Sequence, residues 1–163
     1  LFVFGLFLLS LKTSVLLWQI SAFTLAHTFT LIAGAFGLIS VPTFIVEPLI
    51  AASIVFVAVE NIFFSKLNKW RTVLVFAFGL LHGLGFASVL AEFGLPEGQF
   101  LPALLGFNIG VELGQFYVIA IAYLFLGLTF GQKPYYRSVI TIPASCIIAT
   151  IGTWWLFERV LFT

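Results

Sequence analysis

Charge is scarce in this chain. Asp, Glu, Lys and Arg make up 8% of its 163 residues against 62% hydrophobic ones, and Asp is absent altogether. A soluble domain carries charge on about a quarter of its residues. A soluble fold is therefore excluded, and the mean hydropathy of +1.21 marks an integral membrane protein whose first partner is the lipid bilayer. The net charge of +1 comes without a basic cluster, which argues against nucleic acid as a partner and against a polybasic lipid-binding patch. A single cysteine, Cys146, leaves no disulfide framework and no cysteine-pair metal site, and its place in an apolar run reads as a small packing residue. Methionine is missing too. The chain opens at Leu1 inside the apolar stretch LFVFGLFLLS, with no basic flank or cleavage pattern, so it is expected to be a piece whose beginning lies upstream.

What is present is long apolar runs. Runs of about 20 residues cross a ~30 Å hydrocarbon core as helices, whereas membrane barrels alternate in ~10-residue strands, and no such alternation occurs here. The expected fold class is all-α, a polytopic transmembrane helical bundle of about six spans with the first only partly present. Charge, Pro and Gly punctuate the chain into spans at about 1–10, 14–39, 44–65, 71–92, 101–130 and 137–161. Connections such as LKTS, LNKW and GQKPYY are short, which makes neighbouring spans antiparallel and 1–163 a single domain. No internal repeat suggests two matched transporter halves.

Basic residues are retained on the cytoplasmic side of membrane proteins. If the spans alternate, Lys12, Lys66, Lys69, Arg71, Lys133 and Arg137 share one face, while Glu47, Glu92, Glu97 and Glu158 share the other with Arg159 as the sole basic exception. This predicts both termini on the non-cytoplasmic side of a bacterial inner membrane.

Polar side chains at bilayer depth cost several kcal/mol and usually face a cavity or a partner. His27 in FTLAHTFT and His82 in FAFGLLHGLGFASVL lie ~20 and ~16 Å from the cytoplasmic edge, and Glu112 lies ~16 Å from the outer one, so all three fall near the midplane. Asn108, Glu112 and Gln115 in FNIGVELGQ stand at i, i+4 and i+7 and share one helix face, as do Thr24, His27 and Thr28. Glu60 and Asn61 lie only ~9 Å from the cytoplasmic edge, suited to the inner mouth of a path. Gly79 and Gly83, and likewise Gly106, Gly110 and Gly114, have the spacing that lets a neighbouring backbone approach.

Imidazole, carboxylate and amide oxygen together suit a borderline divalent cation such as Ni²⁺, Co²⁺ or Zn²⁺, and the lack of thiolates and methionine argues against Cu(I). The same groups are able to relay protons or to hold helices together. Two histidines on different helices are also the minimum for axial haem b ligation. Hydrolysis is disfavoured: Ser88 lies off the helical face of His82 and no Gly-x-Ser-x-Gly elbow occurs. No phosphate-binding loop implies ATP coupling. The chain is not expected to be an enzyme, nor to hold a tightly bound cofactor.

Four segments in order on successive spans, FTLAHTFTL, VEPLIAASIVFVAVEN, FAFGLLHGLGFASVL and FNIGVELGQ, resemble the HupE/UreJ family of small membrane proteins, particularly its second branch, over nearly the whole chain. Members are regarded as nickel or cobalt permeases serving metalloenzymes such as hydrogenase and urease, and the resemblance implies that role. It carries over onto His27, Glu60, Asn61, His82, Asn108, Glu112 and Gln115. The family's pattern usually opens with a Gly-x-Asp-His element just before a stretch like LFVFGLFLL, which this sequence does not contain. Glu47 in VEPLI also matches; at the outer mouth it is an entry-side charge at most, and it reads better as a solvated helix-start carboxylate favoured by the helix dipole.

The resulting expectation is a secondary permease for a divalent metal ion. His27, His82 and Glu112 would form its midplane site, helped by Asn108 and Gln115, and Glu60 and Asn61 would form its exit. The alternatives are a non-transporting accessory subunit, partnered with other membrane subunits, and a haem b-binding subunit.

Overall fold

The structure, a computed structural model, describes residues 1–93 and 100–162. Glu97 therefore lies outside the described residues. Among the described residues every regular element is helical, with no strand. A short helix α1 (Phe2–Leu9) leads into α2 (Thr13–Ala35), α3 (Thr43–Phe63), α4 (Arg71–Phe93) and α5 (Phe100–Ala122). The last continues through a π-helical turn, Tyr123–Gly127, into α6 (Leu128–Phe130), and a second such turn, Arg137–Thr141, opens α7 (Ile142–Leu161). Among the described residues five helical stretches are long and apolar enough to cross a membrane: Thr13–Ala35, Thr43–Phe63, Arg71–Leu90, Pro102–Phe130 and Arg137–Leu161.

The second span stops at Ala35 rather than 39. Gly37 takes φ +70, a left-handed conformation natural to glycine at a helix C-terminus, and Leu38 donates back to the Ala33 carbonyl at 2.9 Å.

Two helix pairs organise the bundle, α2 with α4 and α3 with α7, joined through α3 and α4. The first is set by glycine. A side chain at Gly79 would meet the Phe23 backbone, and one at Gly83 would meet the His27 carbonyl and the Thr30 hydroxyl, so α2 and α4 touch backbone to backbone. Thr30 Oγ1 also donates across this seam to the Leu80 carbonyl at 2.8 Å. Gly152 of α7 plays the matching part against Val55 of α3. Helix α1 wedges into the bundle, burying Phe2, Leu6, Phe7 and Leu8 in one core with Phe23, Val57, Val75 and Ile148.

Helix α5 differs. Only 11% of its span is buried, against 50% of α2; it packs mainly on α1 and α2, with Phe107 reaching Phe86 of α4. Gly106, Gly110 and Gly114 have nothing within 4 Å of where a Cβ would stand, so the close approach expected of them does not occur among the described residues. Cys146 corrects a second expectation. It is exposed, because Ser145, Ile148 and Gly152 define the buried face of α7.

Candidate metal site and its two ends

Helices α2 and α4 bring the two histidines to one aromatic cluster, with Phe23 against both rings at 6.0 Å from His27 and 5.1 Å from His82. His27 is 1% exposed, lies between Phe23 and Phe107, and meets Phe86 edge-on at 5.4 Å. Neither of its ring nitrogens has a hydrogen-bond partner among the described residues. A buried polar group left in that state costs about 1–3 kcal/mol, so His27 has coordinating capacity that the described protein groups do not use.

His82 is fixed differently. Its Nδ1 lies 2.8 Å from the Phe78 carbonyl. A carbonyl only accepts, so Nδ1 carries the proton and Nε2 keeps its lone pair, the arrangement in which histidines bind metals. His82 lines a cavity of about 230 Å³ together with Glu47 and Ile54 of α3, Phe86 of α4, and Trp155 and Arg159 of α7. Glu47 and Ile54 are seven residues apart along α3, which puts the mouth and the floor about 10 Å apart in depth. His82 stands at the floor because α4 runs antiparallel to α3. At the mouth Arg159 Nε meets Glu47 Oε2 at 2.9 Å, both side chains partly exposed. The pairing of Glu47 replaces the solvated carboxylate expected from the sequence, and it accounts for Arg159 as the exception on its face.

Asn108 and Gln115 of the α5 polar stripe meet α2. Thr28 Oγ1 donates to Asn108 Oδ1 at 2.8 Å, and Thr24 Oγ1 to Gln115 Oε1 at 3.1 Å. Asn108 Nδ2 returns to the Leu104 carbonyl at 2.9 Å. The two amides thus tie α5 to the helix that carries His27. Glu112, half-buried between them in sequence, has no ion-pair partner among the described residues. Among the described residues no group of three or more His, Cys, Asp or Glu is placed to hold a metal ion, so His27, His82 and Glu112 are not gathered into one coordination sphere.

Glu60 and Asn61 are not an open mouth. Both are buried, and Arg71, read from the sequence as a loop cation, is buried over them at 1% exposure. Its Nη1 stands 3.4 Å from Glu60 Oε2, an ion pair without hydrogen-bond geometry, and Nη2 donates to Asn61 Oδ1 at 3.3 Å. Asn61 Nδ2 in turn donates to the Gly5 carbonyl at 2.8 Å. Arg137 closes the same end by donating to the carbonyls of Asn61, Ile62 and Phe64, which satisfies the free C-terminal acceptors of α3 and complements its dipole.

Haem does not fit. The backbone contact of α2 and α4 at Gly79 and Gly83 leaves no slot for a porphyrin between His27 and His82.

These features, a polytopic helical bundle with imidazoles at its centre and a carboxylate–arginine pair at each end, describe a small membrane protein built around intramembrane polar groups. The chain matches the family model described as HupE / UreJ protein over residues 1–159, and it belongs to that family. No curated protein and no solved structure matches it.

Proposed function

We propose that the chain is a permease for a divalent transition-metal cation, Ni²⁺ or Co²⁺, in a bacterial inner membrane with both termini on the non-cytoplasmic side. The observation that carries this reading is His82, whose Nδ1 bond to Phe78 leaves Nε2 its lone pair and which lines a cavity that has Glu47 at its mouth. Membership of a family associated with nickel and cobalt transport supports it. The ion would pass the Glu47 mouth, meet His82, and be handed through the aromatic wall to His27, whose nitrogens are unpartnered. Glu112 would supply the charge of the central layer, with Asn108 and Gln115 positioning α5 through Thr28 and Thr24. The ion would leave past Glu60 and Asn61 once Arg71 releases them. Ligation is thus sequential rather than by one three-residue cage, which suits a cation that must depart as readily as it binds. Uptake of Ni²⁺ or Co²⁺ by cells expressing His82→Ala or Glu112→Ala is expected to fall to background while each variant still inserts. Normal uptake by both would overturn the proposal.

One observation favours a second reading, a non-transporting subunit of a larger membrane complex: the glycine face of α5 meets nothing among the described residues. Purification with stoichiometric partner chains and without metal-dependent uptake would support it.

A further inference from the structure

The cavity above His82 has one charged feature, and it lies at the mouth. Glu47 belongs to α3 and Arg159 to α7, so their ion pair at 2.9 Å bridges two walls of the opening. Below it the wall is formed by Ile54, Phe86 and Trp155, and among the described residues no other acidic side chain lines the cavity. A cation coming from water therefore has Glu47 as its attractive group, and Glu47 already holds a guanidinium.

We propose that Arg159 is a tethered cation that plugs this vestibule, and that the transported divalent cation enters by displacing it from Glu47. The inference rests on the permease reading and adds the group that decides which ions start the passage. Three physical points support it. First, the side chains of Arg159 and Glu47 are 46% and 35% exposed, and ion pairs that remain in contact with solvent are weak and readily exchanged. Second, attraction to a carboxylate scales with charge. A divalent ion competes with a guanidinium for Glu47, whereas a monovalent ion of the same size has half the pull, so the plug discriminates by charge before any imidazole is reached. Third, the other carboxylate–arginine pair on α3, Glu60 with Arg71, is nearly inaccessible at 8% and 2% exposure, so the two ends of the bundle are closed with unequal firmness. The Glu47 end is the one that an arriving ion is able to open.

Trp155 lines the vestibule and reports on it directly. The test uses protein in which Trp18, Trp70 and Trp154 are each changed to Phe, purified in detergent and titrated with NiCl₂ while Trp155 emission is followed. Bound Ni²⁺ quenches indole, and the quenching is expected to saturate. Arg159→Gln is expected to lower the half-saturating concentration about tenfold and Glu47→Gln to raise it by at least as much. The double variant is expected to show no tightening, because the group that the plug guards is gone. Arg159→Lys keeps the charge and is expected to stay within about threefold of the parent. Arg159→Met serves as a second neutral variant in case Arg159→Gln does not fold.

A change below threefold in both neutral variants, or the same tightening with and without Glu47, overturns the plug. Vesicle uptake of Ni²⁺ measured on the same preparations separates the two levels. Uptake by the parent with no response to the neutral variants overturns the plug alone, and loss of both saturable quenching and uptake overturns the permease reading with it.

Discussion

Replacing Arg71 by Leu removes the cation that sits over Glu60 and Asn61. The Glu60 carboxylate and Asn61 Oδ1 then remain inside the bundle without it, at 8% and 0% residue exposure. Breaking a buried ion pair by deleting one partner costs about 3–5 kcal/mol, because the remaining charge is uncompensated. The 3.4 Å separation, without hydrogen-bond geometry, places this pair at about 3 kcal/mol, the lower end of that range. Deleting both charges together, as Arg71→Leu with Glu60→Leu, removes the uncompensated group and leaves the lost Arg71–Asn61 hydrogen bond, about 1 kcal/mol. The double variant is therefore expected to be more stable than either single one. Reversible unfolding in mixed micelles, followed by circular dichroism, measures all three. An Arg71→Leu cost below about 1 kcal/mol, or a double-variant cost equal to the sum of the singles, would refute the assignment of Arg71 as the counter-charge of Glu60.

Gly83→Ala is expected to lower the thermal midpoint markedly, since its Cβ would run into the His27 carbonyl and the Thr30 hydroxyl. Gly110→Ala, in open space, is expected to stabilise by about 0.5–1 kcal/mol through helix propensity. The same melting experiment checks both, and a reversed order would refute the packing. Thr28→Val removes the 2.8 Å bond to Asn108 and is expected to cost about 0.6–1 kcal/mol, with Thr24→Val similar or smaller because its bond is longer. Glu112→Gln keeps the shape of the side chain and is expected to leave unfolding stability within about 0.5 kcal/mol while abolishing Ni²⁺ uptake. Full uptake by that variant would remove Glu112 from the path.

The spans were legible because length and charge punctuation are local properties. An apolar run of sufficient length forms a helix in lipid whatever its neighbours are, since its backbone groups have no other partners. Partner choice is not local. Gly79 and Gly83 carry the same four-residue spacing as Gly106, Gly110 and Gly114, yet only the first set meets a neighbouring helix. Spacing shows that a face is able to accept a backbone, not that a backbone arrives there. Arg71 misled for a related reason. It opens α4 among loop residues, and only the convergence of α1, α3 and α4 buries it at 1% exposure. The pairing of Glu47 with Arg159 joins residues far apart in the chain. Its one sequence signal was a lone basic residue on an acidic face. That His27 and His82 stand on α2 and α4 was readable from the spans. The Nδ1 bond that fixes the tautomer of His82 depends on the rotamer it adopts.

Charge compensation gives the central layer its chemical meaning. Of the three carboxylates on α3 and α5, Glu47 is neutralised by Arg159 and Glu60 by Arg71, each cation arriving from a neighbouring helix. Glu112 has no such partner among the described residues, although it stands on a helix that lies largely outside the core. A bare carboxylate at bilayer depth is costly, so Glu112 requires either a proton or a cation. Its neighbours on the stripe do not meet that need, because the Asn108 and Gln115 amides are neutral. The two ends of the bundle thus hold carboxylates whose cation is built in, and the middle holds one whose cation is not. A structural polar network gains stability by satisfying its central member first. Here the central member is the one left open, beside a helix whose buried histidine also keeps both nitrogens free. That inversion is what a path for a mobile cation requires.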